Sequence, residues 1–286
     1  MRFTKKAEFD FVDATHQEFR AFTKIRDRYS KIYIIVSPPR CSSTAFARAF
    51  WEQPTISYYS HEPFDVTYHN NLEVSQVVSQ LKNPIHLKSI KQNYDSELAQ
   101  ELILKEMSFQ VGINFPFLVA LTQAPIIFLI RDPRLSIASR MAKRKEGGGN
   151  PLFPFIESGW ELLLAQIEYC QQQNVPYSIV DATEFRNHPQ AIFSQVFAQL
   201  KLPFRPEMLS WQPCEDIAID NLDGQQNYWY HRVLNSTQIE PATEIIPALD
   251  SFPITGGFRD HVAKCLDIYH FLGTLPEKIT GDIIDF

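Results

Sequence analysis

Glycine is scarce in this chain: only 10 of its 286 residues are glycine, and five of those ten lie in two clusters, 147–149 and 256–257. Because glycine lets the backbone adopt conformations that other residues avoid, flexibility is expected in these two loops. The stretch 146–151 around the first cluster is interpreted either as a mobile lid or as a plain surface loop. A hydrophobic share of 44% and a charged share of 21% exclude disorder, collagen and coiled coil as the main class.

Cysteine is also sparse, and its four copies are widely spaced at Cys41, Cys170, Cys214 and Cys265. No two of them form a C-x-x-C pair, and four are too few to build a disulfide scaffold for a chain of this length. We interpret them as reduced thiols, which favours a cytoplasmic protein.

The chain has no long apolar run. Its longest apolar stretch, 115–130, is shorter than the roughly 20 residues of a membrane-spanning helix and contains two prolines. Near the start of the chain, Glu8, Asp10 and Asp13 interrupt what would be the apolar core of a secretory signal. The sequence therefore predicts no integral membrane segment, and it disfavours secretion by that route.

Positive charge is the minority sign, because 27 lysines and arginines stand against 33 acidic residues and the net charge is −6. A molecule of this charge repels polyanions, so nucleic acid is not expected as a partner. One segment departs from the average: from Arg131 to Lys145 there are six basic residues and a single acid, Asp132. This basic island is either an anion subsite or a solvated helix face.

The apolar pattern predicts alternating strands and helices. Short β-branched or apolar runs typical of buried parallel strands lie at 32–36, 55–59, 126–130 and 177–180, with a further strand at 102–107 or 85–90. Helical patterns lie at 44–51, 72–81, 135–145, 155–173, 189–200 and 259–271. The predicted fold is an α/β, three-layer, doubly wound parallel sheet. We expect a single domain over 1–286, with an N-terminal extension at 1–31 and an irregular segment at 203–258 that covers the sheet edge.

The first chemical motif follows the predicted strand 32–36 and precedes the helix. It contains Pro39, Arg40, Cys41, Ser42, Ser43 and Thr44. A polar loop at a helix start offers unpaired backbone N–H groups, hydroxyl donors and the favourable end of the helix dipole to an anion, and Arg40 adds a fixed positive charge. The alternative is that the three hydroxyl residues only cap the helix.

Two familiar anion loops do not fit this motif. The loop of nucleotide triphosphatases needs two glycines and a lysine, and all three are missing here. A cysteine phosphatase needs arginine six residues after its nucleophile, and the residue at that distance from Cys41 is Ala47. Cys41 is then most simply a small loop residue.

The second chemical motif follows the predicted strand 126–130. Asp132 is a plausible N-cap and Pro133 suits the first turn of a helix, so Arg131 is expected at the end of the strand and Ser139 two turns along the helix.

These residues resemble a known family. PPRCSST at 38–44, followed by RDPRLSIAS at 131–139, is similar to the two nucleotide-binding signatures of the sulfotransferase family. The first resembles its 5′-phosphosulfate loop, P-[KR]-S-G-[ST]-[ST], and the second its 3′-phosphate motif, an arginine with a serine eight positions later. Further stretches resemble a soluble branch of the family with a P-loop-like fold: HEPF at 61–64, LKEM at 104–107, SGW at 158–160 and WYHRVLNST at 229–237.

The resemblance implies an enzyme that transfers a sulfuryl group from 3′-phosphoadenosine-5′-phosphosulfate (PAPS) to a hydroxyl or amine of a small-molecule or carbohydrate acceptor. The product nucleotide is the 3′,5′-bisphosphate (PAP), and no metal ion is needed. The implied donor-binding residues are Pro39, Arg40, Cys41, Ser42, Ser43, Thr44, Arg131 and Ser139. Arg40 is also implied as catalytic, because it would stabilise charge on the bridging oxygen. Ser42 stands where the family has glycine, and the late R-K-G triplet of hormone-type members has only a weak substitute at 256–259.

An acceptor hydroxyl needs a base within hydrogen-bond reach. Likeness to carbohydrate-type members favours Glu62, with His61 as the second candidate because imidazole titrates near neutrality. Pro63 biases the backbone of Glu62 towards an extended form. Alternatively, His61 satisfies a loop carbonyl and Glu62 pairs with Arg40 or Lys88.

Three further residues have two interpretations each. Lys105 and Glu106 either line the site or form an exposed ion pair, and His231 either touches a ligand or packs in a loop. Two other functions stay open: a P-loop-like kinase or nucleotide hydrolase, and a catalytically silent nucleotide-binding relative. The identity of the acceptor and the oligomeric state are not readable from the sequence.

Overall fold

The computed structural model describes residues 9–12, 15–89, 100–214, 219 and 227–281. The strands in this part of the chain are β1 (Lys31–Ser37), β2 (Ile56–His61), β3 (Ile85–His86), β4 (Glu101–Met107), β5 (Ile126–Ile130), β6 (Tyr177–Asp181) and β7 (Lys278–Ile279). They form one sheet in the order β3-β2-β4-β1-β5-β6-β7. Every pair is parallel except β2 with β3, which is antiparallel. The predicted parallel sheet is therefore confirmed except at this edge.

The helices of the described residues are α1 (His16–Arg26), α2 (Ser43–Trp51), α3 (Asp65–His69), α4 (Val74–Leu81), α5 (Ser108–Val111), α6 (Phe115–Leu121), α7 (Pro133–Glu146), α8 (Trp160–Gln173), α9 (Ala182–Asn187), α10 (Pro189–Leu200), α11 (Asn227–Leu234) and α12 (Phe258–Leu272). The predicted helices 44–51, 135–145, 189–200 and 259–271 agree with α2, α7, α10 and α12 to within two residues at each end. Of the two alternatives for a further strand, 102–107 matches β4 and 85–90 contributes only the short β3.

The sheet is buried on both faces. Along β1, Ile32, Ile34 and Val36 join one apolar cluster, whereas Tyr33 and Ile35 join another. This alternation follows from the pleat of a strand, which points successive side chains to opposite faces. Residues of α1, α4, α6, α8 and α12 cover the first face, and residues of α2, α9 and α10 cover the second. The predicted three-layer α/β architecture is confirmed.

Strand order decides where a ligand can bind. β1 lies at the centre of the sheet, with β4 on one side and β5 on the other. After β1 the chain crosses to β2 on one side, and after β4 it crosses back to β5 on the other side. In open α/β sheets, ligands bind outside the carboxyl ends of the strands where the order reverses in this way. The loops after β1, β2, β4 and β5 all meet at this edge.

The predicted helix 155–173 is broken at Gly159. Residues Phe155–Ser158 form a short 3₁₀ turn, Gly159 has φ +77°, and α8 begins at the next residue. A Cβ atom at this position would lie 2.4 Å from Ser108 Oγ and 3.2 Å from Pro38 Cα. Only glycine accepts both the left-handed backbone and the close approach to the loop after β1.

Both flanking segments contain helices and contribute side chains to the core. Within the expected extension 1–31, α1 buries Phe22 and Ile25 in the core and packs against α6 and α4. Within 203–258, the chain folds back on itself through an isolated bridge between Ser210 and Gln238, and it includes α11. The face covered by α2 and α10 receives Met208, Trp211 and Ile239 of this segment, whereas the opposite face receives Phe252 and Phe258. The single-domain boundary over 1–286 stays a prediction.

All four cysteines are buried thiols without a disulfide partner. None of the helices in the described ranges is long and apolar enough to cross a membrane.

Candidate functional site

A cavity of about 500 Å³ opens at the carboxyl edge of the sheet. Its wall combines residues from the loop after β1, from α3, from β4 and α5, from α7 and from the covering segment around α11. The volume falls in the range of sites that enclose small ligands. Most sequence-predicted site residues line it: Pro39, Arg40, Ser42, Ser43, Thr44, Glu62, Arg131 and Ser139.

The loop between β1 and α2 has an unusual backbone. Arg40 has φ +64° and Ser42 has φ +57°, so two residues with side chains adopt the left-handed conformation that glycine prefers. Ser42 occupies the N-cap position of α2, yet its side chain makes no capping hydrogen bond. The capping interpretation therefore fails for Ser42, and the first residues of α2, 43–45, line the cavity without a hydroxyl cap from it.

The two predicted anion-binding motifs contact each other. Arg40 Nε donates a hydrogen bond of 3.1 Å to Ser139 Oγ, and Arg131 Nη1 donates one of 3.0 Å to the backbone oxygen of Arg40. Asp132 is the N-cap of α7, as predicted, and accepts a hydrogen bond from the backbone N–H of Arg134. The two motifs thus face one cavity, as a ligand that bridges them requires.

A carboxylate from the covering segment lies on the second motif. Glu244 Oε1 is 2.9 Å from Arg131 Nη2 and 2.8 Å from Arg186 Nη1, and all three residues line the cavity. Partial burial would raise the pKa of Glu244, but its hydrogen bonds with Arg186 and the charge of Arg131 lower that pKa to about 2. An anionic side chain thus pairs with Arg131, which the sequence assigns to a ligand anion, and with Arg186 beside it.

Glu62 is buried among charged and polar side chains. Its Oε1 accepts from Lys105 Nζ, accepts a hydrogen bond of 3.0 Å from Tyr230 OH, and lies 3.3 Å from His61 Nε2. Burial would raise the pKa of Glu62, but the charges of Lys105 and His61 outweigh this effect and lower the pKa to about 2. The structure shows Lys105 as an ion-pair partner of Glu62, a residue that the sequence-based alternatives Arg40 and Lys88 did not include.

Lys105 and Glu106 are both buried, so they are not an exposed ion pair. Lys105 lines the cavity, as one interpretation predicted. Glu106 points to the other side of β4 and accepts hydrogen bonds from the backbone N–H groups of Phe64 at 2.8 Å and Met107 at 2.7 Å. The bond with Phe64 ties the N-cap of α3 to β4.

A second acidic group stands at the start of α3. Asp65 is 5% exposed and accepts a hydrogen bond of 2.6 Å from Gln110 Nε2. His69 Nε2 lies 3.5 Å from the same Oδ1 atom, one helical turn further on. Asp65, His69 and Gln110 all line the cavity.

Several predicted residues do not reach the cavity. The side chain of Cys41 is buried in the core, where burial raises its thiol pKa to about 12, and His61 lies behind Glu62. His231 is exposed and contacts Asn235, so neither interpretation of it holds. Arg259 binds the backbone oxygens of Phe252 and Asp250, which gives the substitute for the late triplet a structural contact. The glycines 147–149 are an exposed turn at the end of α7.

The structure also adds residues that sequence reasoning missed: Asp65, Arg186, Tyr230 and Glu244. The signal for Arg186 is its position just after β6, because the loops after parallel strands converge at one edge. Tyr230 lies inside the WYHRVLNST stretch, and Asp65 follows HEPF directly. Glu244 has no sequence signal, because nothing local links it to Arg131.

Among the residues that the structure covers, no three His, Cys, Asp or Glu side chains are grouped as metal ligands.

The fold and the cavity define a class: an α/β protein that presents the loop after β1 and the Arg131–Ser139 pair at the same edge of its sheet. A family model described as a sulfotransferase domain matches residues 31–254. The chain therefore belongs to the sulfotransferase domain family, and its enzymatic class is that of a sulfotransferase.

Comparison with solved structures finds distant likenesses. The chain is similar to the sulfotransferase domain from the curacin biosynthetic pathway, with TM-score 0.49 and 16% identity over 83% of this chain and 97% of that one. It is similar to the sulfotransferase domain from the Synechococcus PCC 7002 olefin synthase, with TM-score 0.47 and 14% identity over 84% and 94%. It is also similar to mouse sulfotransferase SULT7A1 complexed with PAP, with TM-score 0.47 and 12% identity over 92% and 94%. No curated protein sequence matches the chain.

Proposed function

We propose that this protein transfers a sulfuryl group from PAPS to a hydroxyl or amine of a small-molecule or carbohydrate acceptor. Family membership supports the transferred group. The observation that supports PAPS as the sulfuryl donor is the contact between the two motifs. At one cavity, the Arg40 side chain donates a hydrogen bond to Ser139, and Arg131 donates one to the backbone oxygen of Arg40. A nucleotide with phosphates at both its 3′ and 5′ positions is the ligand that uses both motifs at once.

The cationic and hydroxyl side chains of the cavity fit such a nucleotide. Arg131 is buried and lines the cavity, and its Nη2 atom already holds an anionic oxygen, Oε1 of Glu244, at 2.9 Å. A guanidinium that binds a carboxylate oxygen in this position can bind a phosphate oxygen in its place. Arg131 and Ser139 would hold the 3′-phosphate, and Arg40 with 42–44 would hold the 5′-phosphosulfate. Bound there, the donor supplies the activated sulfuryl group.

Arg40 and Lys105 would act on developing negative charge. Sulfuryl transfer leaves charge on the oxygen that bridges to the nucleotide, and preorganised cations next to that oxygen lower the barrier. Glu62 holds Lys105 in place through their buried ion pair. That Glu62, or His61 behind it, also takes the acceptor's proton stays a prediction from the sequence.

The acceptor stays at the level of its reacting group. Met107 and Phe109 give one end of the cavity an apolar surface, with Lys105 beside them. The aromatic residues Tyr58, Tyr59, Phe64 and Tyr68, which could have met an acceptor ring, do not line the cavity. A cytoplasmic location belongs to the same proposal.

Calorimetric titration with PAP tests the donor site. We expect binding with and without a chelator, and a loss of about tenfold or more in affinity in Arg40→Ala and in Arg131→Ala, because charged hydrogen bonds contribute about 1.5–3 kcal/mol each. Arg134→Ala is the matched control. Arg134 lies in the first turn of α7, the helix that follows Arg131, where it pairs with Asp132 and does not line the cavity.

Each alternative function has its own outcome. Binding of magnesium ATP without binding of PAP would favour a kinase or nucleotide hydrolase. Tight PAP binding with no consumption of PAPS would favour a silent relative. Equal PAP affinity in wild type and both arginine variants would refute the site assignment.

A further inference from the structure

Asp65 presents to the cavity an oxygen that no group of the described residues uses. Its Oδ1 atom takes the hydrogen bond from Gln110 at 2.6 Å and the contact with His69 at 3.5 Å. Its Oδ2 atom has no hydrogen-bond partner within the described ranges, and it is not sealed off by protein. The residue itself is 5% exposed and lines the cavity, so Oδ2 is open to a ligand there but little exposed elsewhere.

Glu62 is poorly suited to accept a proton in comparison. Its Oε1 atom already meets Lys105, Tyr230 and His61. A carboxylate whose pKa is lowered to about 2 is a weak base at neutral pH, because the strength of a general base follows its pKa. Asp65 differs: burial, and next the charge of Glu62, raise its pKa to about 6.

We propose that Asp65 accepts the proton of the acceptor's hydroxyl and that His69 carries this proton to solvent. The inference rests on the proposed function. In the step, a bond forms between the acceptor oxygen and sulfur, the bond from sulfur to the bridging oxygen of PAPS breaks, and the bridging electron pair leaves with PAP. The acceptor's proton moves to Asp65 Oδ2, and the site recovers when that proton leaves through His69.

His69 is placed for the second part of this path. Its side chain is 44% exposed, whereas that of Asp65 is 7% exposed, so the pair runs from the buried wall of the cavity to solvent. The ring packs edge-on against Tyr68 at 4.8 Å and against Phe109 at 6.1 Å, which fixes its orientation. Imidazole is the side chain best able to take up and release a proton near neutral pH.

The charged and polar groups that face Asp65 come from five parts of the fold. Glu62, just after β2, disfavours its ionised form, whereas Lys105 on β4 and His69 on α3 favour that form. Gln110 on α5 donates a hydrogen bond to it, and Tyr230 on α11 lies close enough for Asp65 to raise the pKa of its hydroxyl. Since Glu62 stays ionised through its pair with Lys105, it acts as a constant neighbour to Asp65 at neutral pH.

The test measures PAP release from PAPS as a function of pH, with 2-naphthol as probe acceptor and with water alone. Because water is present in every assay, the wild type gives a rate in both conditions. We expect the wild-type kcat to fall about tenfold per pH unit below about pH 6, since a protonated base cannot accept a proton. In Asp65→Asn the rate should fall by about 100-fold or more, and this pH dependence should disappear, while PAP affinity stays unchanged.

His69→Gln tests whether His69 carries the proton to solvent. This variant also tests the proposal if Asp65→Asn does not fold. We expect kcat to fall about tenfold with KM unchanged, and imidazole in the buffer to restore part of it. His86→Gln is its matched control, because His86 lies on the edge strand β3, contacts Tyr58 and does not line the cavity. This control should show the wild-type rate.

The proposal is overturned if Asp65→Asn keeps the wild-type rate and pH profile. It is also overturned if wild-type kcat is flat between pH 5 and 7 and His69→Gln is fully active. Failure of the proposed function gives a different result, namely no PAP binding and no PAP release by the wild type.

Discussion

Ser42 carries a conformational cost at the point where the chain turns towards its ligand. It has φ +57° and ψ +24°, whereas the family pattern has glycine at this position. The left-handed region costs a residue with a side chain roughly 1–2 kcal/mol, because Cβ approaches the following carbonyl oxygen. The serine side chain does not offset this cost by capping α2, since it makes no capping hydrogen bond.

Ser42→Gly is therefore expected to raise the free energy of unfolding, by about 0.5–1 kcal/mol after the larger unfolded-state entropy of glycine is subtracted. Urea denaturation measures this change. Ser43→Gly is the control of opposite sign, because Ser43 is the first helical residue of α2 and glycine in a helix is destabilising by roughly 0.5–1 kcal/mol. A lower stability in Ser42→Gly would mean that the serine hydroxyl has a structural partner in solution.

The residues that could be predicted are those with a local pattern. Arg40 follows a strand and precedes a helix, and Arg131 and Ser139 have a recognisable spacing around a helix start. The sequence alone therefore predicted these three residues as site residues. Asp65 and Glu244 depend on neighbours that are distant in the chain. Asp65 meets Gln110, and Glu244 meets Arg131, more than 40 positions away in each case. No spacing rule reports such contacts.

At the scale of elements, the segment that follows α11 closes one end of the cavity with its own carboxylate. Glu244 occupies Arg131 and Arg186 in the absence of a ligand, so an incoming phosphate has to displace it. We expect Glu244→Gln to bind PAP about two- to fivefold more tightly, because the lost ion pair is partly exposed and such pairs contribute about 0.2–1 kcal/mol.

Calorimetry of Glu244→Gln with PAP at low and high salt measures this effect, which should shrink as salt screens the ion pair. Glu240→Gln is the control: Glu240 lies in the same segment but pairs with the exposed Arg232. Weaker binding of PAP by Glu244→Gln would instead mean that the carboxylate orders the two arginines for the ligand.

Elements were predictable where one pattern dominated. The fully buried strand β5 was predicted with its observed bounds, because an apolar run between turn residues has few other interpretations. The helix 155–173 was predicted as one piece, because its break depends on Ser108 and Pro38 approaching Gly159. α11 was missed because a short helix inside a proline-rich and acidic stretch gains its stability from packing.

At the scale of the whole molecule, a buried ion pair sets the response to acid. The pKa of Glu62 is lowered to about 2, after the charge of Lys105 outweighs burial. Ionised Glu62 therefore stabilises the folded state above the ordinary pKa of a glutamate, and this stabilisation is lost as pH falls from about 4.5 towards 2. Asp65, with its pKa raised to about 6, acts in the opposite sense, since its ionised form is disfavoured by folding above that pH.

Urea unfolding between pH 2 and 7 checks this prediction with Glu62→Gln. The variant should be less stable than wild type by about 3–5 kcal/mol at pH 7, because Lys105 is left buried without its carboxylate. The difference should narrow as pH falls below 4. Glu73→Gln, which removes an exposed carboxylate at the start of α4, should follow the wild-type curve. If the free energies of unfolding of Glu62→Gln and wild type differed by the same amount at every pH in this range, the lowered pKa of Glu62 would be contradicted.

The two ends of the sheet bear on how copies of the protein meet one another. β3 at one border and β7 at the other are each two residues long, and β3 runs against the direction of its neighbour. A strand from a second molecule would find only a few backbone groups to join at either border of the described sheet. The long, apolar inner strands that would otherwise template such growth are shielded by these short outer ones, so crowding in a concentrated sample does not readily extend the sheet from molecule to molecule.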